Sequence, residues 1–175
     1  MNEIIQAIKT RRSIRKFRPD MPAHKDIEQI IEAGLYAPSG KDRQATVILA
    51  VTQKALRDRM AETMRVIDGY GEGFDPFYGA PVILVVLTAA NVITRVYDGS
   101  AVMENMLLAV HSLGLGGLWV HRARQEFELP EYKKLLQDLG VEGEWEGVAH
   151  CCVGYIDGDP PAASERKGGR VVWVE

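Results

Sequence analysis

Seven consecutive residues, Arg11-Arg12-Ser13-Ile14-Arg15-Lys16-Phe17, hold the densest chemistry in the chain. Four are cationic and a fifth, Ser13, brings a hydroxyl, in a protein whose formal net charge is -3. Arginine meets phosphate oxygens bidentately and stays charged, so such a stretch can cradle a phosphate. The bland reading of a lone basic run is a solvated turn. Other features shift the balance toward a binding role. Ala37-Pro38-Ser39-Gly40 ends a helical pattern and leaves backbone N–H groups free to bind. The 68–80 segment combines Gly69, Gly71, Gly73 and Gly79 with Tyr70, Phe74, Phe77 and Tyr78. A glycine-rich loop bearing aromatics reads either as a pocket rim or as a loop pinned to the core by its rings. Arg166-Lys167-Gly168-Gly169-Arg170 is a second basic cluster.

Other reactive side chains point to less. His24 and His111 have no matching acid or nucleophile in the pattern. His150, Cys151 and Cys152 stand on one apolar run without zinc-site spacing. Adjacent cysteines bond to each other only with strain, so these two read as buried thiols in a reducing compartment. Gly114-Leu115-Gly116-Gly117 lacks the full dinucleotide fingerprint and follows a helical pattern instead of a strand. Trp119, Trp145 and Trp173 fit core or interface positions.

The elements that must position these residues follow from periodicity. Residues 2–12, 23–36, 54–67, 99–113 and 130–139 carry helical spacing. Runs at 46–52, 82–88, 118–121, 148–155 and 171–174 read as strands, the first two as strands buried on both faces. The 99–113 helix is apolar nearly all round, which predicts burial on every face, with a second subunit covering part of it. At 175 residues the expectation is one domain spanning 1–175. Hydrophobic content is 46% and charged content 26%, ordinary for a globular protein. The mildly acidic balance argues against nucleic acid or an anionic membrane as partner. With no cationic leader at Met1–Ile5 and no membrane-length apolar run, the expected location is cytoplasmic.

Taken together and in order, these signals resemble the flavin-dependent nitroreductases. The resemblance runs from Ile4 to Val174. It rests on the Arg11–Phe17 stretch, Ala37–Gly40 with Gln44, Gly79-Ala80-Pro81, Asp98–Leu108, Leu113–Gly116 with Trp119, and Gly154-Tyr155 before the basic tail. The sequence departs from the family pattern at Asp42 and at Ala45-Thr46. The resemblance implies an α+β fold, a three-layer α-β-α arrangement around a mostly antiparallel sheet. It also implies a homodimer that exchanges its C-terminal strand and binds FMN at the subunit interface.

The resemblance further implies residue roles. Arg11, Arg12, Lys167 and Arg170 would neutralise the FMN phosphate, with Ser13 at the phosphate–ribityl region. Arg15 would meet the N1–C2 edge of the flavin, where reduction places negative charge. Pro38, Ser39, Gly40 and Gln44 would line the ring. Trp119, Val120, His121 and Arg122 would run past N5, contributing a backbone N–H. No side-chain nucleophile or metal is required. The implied activity is an FMN-dependent NAD(P)H oxidoreductase acting on nitroaromatics, quinones or similar acceptors. Two rivals remain at this level: a flavin-binding protein for storage, sensing or flavin fragmentation, and a non-enzymatic anion-binding dimer.

Overall fold

Val82–Leu87 is an unbroken run of β-branched and leucine side chains, and every one of them is buried. Such a run suits a strand covered on both faces. The computed structural model describes residues 2–175. Its sheet comprises β1 (Thr46–Val51), β2 (Val82–Ala89), β3 (Gly116–Val120) and β4 (Trp145–Gly154). Their order is β1-β2-β4-β3, and every pairing is antiparallel. Alternation along β2 divides the core. Ile83, Val85 and Leu87 join one apolar cluster, while Val82, Leu84 and Val86 join the other.

The first cluster is closed by α3 (Lys54–Asp68), α5 (Ala123–Glu128) and α6 (Pro130–Asp138). Met60 and Met64 of α3 are fully buried there, one helical turn apart. Gly69, at φ 68°, ends α3 in the left-handed conformation. Pro130 opens α6, at a position where its missing N–H removes no helical bond. The second cluster is closed by α2 (His24–Leu35) and α4 (Arg95–Ser112). The architecture is therefore the expected one, helices on both faces of an antiparallel sheet. Among the described residues no helix is long and apolar enough to cross a membrane.

α1 (Glu3–Thr10) behaves differently. Asn2 caps it by accepting hydrogen bonds from the N–H groups of Ile4 (2.9 Å) and Ile5 (3.4 Å). Yet it has no buried residue, and Ile4 is 69% exposed. Ile5 and Ile8 on its apolar face are each 51% exposed as well.

Three sequence expectations change, and one helix carried no sequence signal. β1 is an edge strand, half-buried from Thr46 to Leu49 and exposed at Ala50, because only β2 pairs with it. α4 begins at Arg95, four residues before the expected start, and within 99–113 only Glu104 and Ser112 are exposed among the described residues. Val171–Val174 form no strand, and Trp173 is 81% exposed, because no strand of this chain lies beside them. Finally, α5 is too short, at six residues, to register as a periodic signal.

Candidate cofactor site

The basic stretch is held as a strand-like edge on the sheet. Ser13 forms a parallel bridge with Gly117, and Phe17 an antiparallel bridge with Ile156. The Ile14 N–H donates to the Gly117 carbonyl (3.0 Å) and the Arg18 N–H to that of Tyr155 (2.9 Å). Ile14 and Phe17 are the pegs: both are buried, while Arg15 and Lys16 between them are exposed. The close approach needs a glycine at 116. A β-carbon there would lie 3.0 Å from Ile156 Cγ1 and 3.1 Å from Ile14 Cγ2.

Two of the cavities that flank this edge share Arg15. The larger, about 700 Å³, lies between Ile8–Arg15 and the Pro161–Arg166 tail. The smaller, about 290 Å³, lies between Leu118–Arg122 and the Asp68–Tyr78 segment.

The cations of the larger cavity are not equivalent. Arg11 Nε is buried without a hydrogen-bond partner among the described residues. An orphaned buried donor costs about 1–3 kcal/mol, so the position favours an incoming acceptor. Arg12 is committed elsewhere: its Nη1 donates to the carbonyls of Lys9 (2.9 Å) and Arg11 (2.7 Å) at the end of α1. Arg166 lines the cavity with its fork on the Ser164 carbonyl, at 3.2 and 3.0 Å. Lys167 and Arg170 are exposed and line neither cavity. Nearby, His111 shares a 2.8 Å hydrogen bond with Thr10 Oγ1. Burial, then the charges of Arg11 and Arg12, hold its pKa below the usual histidine value.

In the smaller cavity, Trp119 and Val120 are half-buried at the end of β3, and His121 is exposed. β3 is an edge strand, so backbone groups on its outer side are free of the β4 ladder. Arg122 has φ 79°, and its Nε donates to Asp68 Oδ1 (2.7 Å). The aromatic loop does both things the sequence allows. Phe77 is fully buried and pins it, while Tyr70, Phe74 and Tyr78 line the cavity. Behind this wall, His150 Nε2 and Glu126 Oε2 meet at 2.7 Å, both side chains fully buried. Gly147 lets α5 lie on β4, since a β-carbon there would stand 2.3 Å from the Ala123 carbonyl oxygen.

Pro38, Ser39, Gly40 and Gln44 are not brought to these cavities. They lead into β1, at the opposite edge of the sheet from β3. Three interstrand steps separate those edges, roughly 14 Å. The turn is nonetheless built with care. Gly40 N–H donates to Asp98 Oδ1 (3.0 Å) and Gln44 N–H to Ser39 Oγ (3.0 Å). Among the described residues the non-glycine positions with positive φ are Lys41, Asp42, Gln44, Tyr78 and Arg122, all in this turn or around the smaller cavity. Backbone strain of this kind gathers where binding geometry is held. Asp68 carries no motif and is not legible in the sequence; of the basic cluster at 166–170, Arg166 is the member that lines the larger cavity.

A nitroreductase from Bacteroides fragilis, solved with bound FMN, superposes with a TM-score of 0.91 at 27% identity, covering 100% of both chains. One from Desulfitobacterium hafniense, also with bound FMN, gives 0.87 at 25% identity, again over 100% of both chains. The NADPH-flavin oxidoreductase of Vibrio harveyi is 29% identical over 175 residues, 91% of this chain and 68% of its own. The model of the Nitroreductase family matches residues 8–155, from α1 through the end of the sheet. The chain belongs to the nitroreductase family.

Proposed function

We propose that this protein is an FMN-dependent NAD(P)H oxidoreductase whose site is completed by a second copy of the chain. One observation carries the reading: Arg11 Nε is buried and unpartnered beside a large cavity that continues, through Arg15, into a cavity walled by aromatic rings. Those residues fit FMN. A dianionic phosphate would satisfy Arg11, with the Ser13 hydroxyl and Arg166 at the same cavity. Arg15 stands between the two cavities, where a cation favours negative charge arriving on the ring. The outward N–H groups of Trp119 and His121, alternating with Val120 that faces β4, would supply donors, and the Arg122–Asp68 pair would fix the turn that follows. Bound FMN would supply two-electron chemistry, from a nicotinamide donor to a nitroaromatic, quinone or similar acceptor.

The homodimer reading has its own support. Within one chain Pro38, Ser39, Gly40 and Gln44 stand at the wrong edge of the sheet, while α1 and Val171–Val174 leave apolar surface uncovered. A two-fold pairing would cover that surface and bring the Pro38–Gln44 turn of one copy to the cavities of the other. In that assembly Lys167 and Arg170, exposed here, would gain new neighbours.

Anaerobic stopped-flow tests the reading. FMN-loaded protein should bleach on mixing with NADH or NADPH and recover its colour on adding a quinone. A protein that holds FMN but is not reduced by either nicotinamide would instead support a storage or sensing role.

A further inference from the structure

Arg57 is a buried cation on α3 that none of the proposed cofactor contacts uses. Its Nε donates to the Ala80 carbonyl (3.0 Å) and its Nη2 pairs with Asp75 Oδ2 (2.5 Å). Its guanidinium carbon lies 5.5 Å from the centre of the Phe77 ring. Asp75 in turn accepts from the N–H groups of Phe77 (Oδ1, 2.9 Å) and Gly79 (Oδ2, 2.8 Å), while its carbonyl accepts from Tyr78 N–H (3.0 Å).

We propose that the Arg57–Asp75 pair is a positioning element that sets the aromatic wall of the smaller cavity, and so decides which planar acceptors fit there. The proposal rests on the oxidoreductase reading above for its substrate, and on geometry alone for its mechanism. Tyr78 is the link. It lies between the two amides that the Asp75 carboxylate holds, at φ 54°. A tyrosine keeps such a backbone only where its surroundings over-determine it. Tyr78 then sets its neighbours: its ring meets that of Phe74 edge-on at 5.8 Å, and Phe74 packs on Tyr70 at 4.5 Å. Tyr70 and Phe74 are themselves 45% and 38% exposed. The outer rings thus depend on a chain of contacts that starts at Arg57. On the inner side Phe77 closes the same unit, its ring 5.2 Å from that of His150.

The test compares wild type, Asp75→Asn, Phe74→Ala and the double variant. Asp75→Asn keeps the side-chain volume and one acceptor oxygen, but replaces the other with an NH2 that can accept from neither Arg57 nor a loop amide. The acceptors are a naphthoquinone, which needs the ring wall, and ferricyanide, which does not. For Asp75→Asn the KM for the naphthoquinone should rise about tenfold, the scale of a lost apolar wall contact, with the ferricyanide KM within about twofold. The double variant should be no worse than Phe74→Ala, because both changes remove one wall. A second readout needs no flavin: in Asp75→Asn apoprotein the Phe77 and Gly79 amides should exchange with deuterium at least about tenfold faster, with β2 amides unchanged. Multiplying KM effects, equal rises for both acceptors, or unchanged exchange at those amides would overturn the proposal. Wild type that takes up no FMN would refute the oxidoreductase reading instead, and amide exchange would still decide the role of Asp75.

Discussion

Replacing Arg11 with alanine separates a ligand-binding arginine from a structural one by the sign of its effect. Arg11 Nε is buried and lacks a partner among the described residues. In the apoprotein that unmet donor costs about 1–3 kcal/mol, so its removal should leave stability unchanged or raise it slightly. A phosphate oxygen meeting the guanidinium should contribute roughly 1.5–3 kcal/mol, or about 10- to 150-fold in Kd. Suppose FMN is present at about 100 times the wild-type Kd. Wild type then gains about 2.7 kcal/mol of stability, and a variant with a 30-fold weaker site only about 0.9 kcal/mol. Urea melts with and without FMN, together with flavin fluorescence titration, measure both quantities. Riboflavin, which lacks the phosphate, is the control and should bind both proteins alike. An Arg11→Ala protein that is less stable without FMN, yet binds it within twofold of wild type, would refute the reasoning. Arg12→Ala should show the opposite pattern, since Arg12 serves the end of α1: about 1 kcal/mol of apoprotein stability lost, and a smaller effect on FMN.

Three further outcomes are expected. Arg15→Gln should lower the FMN midpoint potential by about 30 mV, if the charge contributes about 1.4 kcal/mol to the reduced form; spectroelectrochemical titration giving an unchanged value would remove Arg15 from the ring edge. Deleting residues 165–175, which include the exposed Trp173, should abolish dimerisation and FMN retention together, as read by sedimentation and flavin absorbance; a flavin-loaded monomer would contradict the assembly. His111, its pKa held below the usual histidine value by burial and by the charges of Arg11 and Arg12, stays neutral in the fold when the unfolded chain would protonate. Its contribution to stability is therefore present above about pH 6.5 and falls as pH drops from there toward the lowered folded pKa. Phosphate bound beside Arg11 and Arg12 should raise the His111 pKa toward the ordinary value, and an NMR titration that shows no such rise would place the anion elsewhere.

The architecture was legible because its causes are local. Unbroken β-branched runs, apolar residues one helical turn apart, and glycine or proline at the ends place most helices and all four strands within a few residues. The basic stretch was legible as a binding element for the same reason, since four cations in seven residues need no tertiary context to stand out. What that reading could not assign was which cation is free. Arg11 and Arg12 are neighbours of one type, and only the end of α1, whose carbonyls occupy Arg12, makes Arg11 the unpartnered one. Likewise Arg57 reads as one more charge on an amphipathic helix until the fold brings Asp75 and Ala80 to it from 18 and 23 residues away. Strand order decided the rest. The run at 46–52 has the composition of a central strand, yet it lies at an edge because pairing is settled by contacts between distant segments, and composition carries no record of those. The same order sets the Pro38–Gln44 turn and the Arg11–Arg15 stretch on opposite edges of the sheet. Residue types state what chemistry is available, and chain topology states which of those residues can share a cavity.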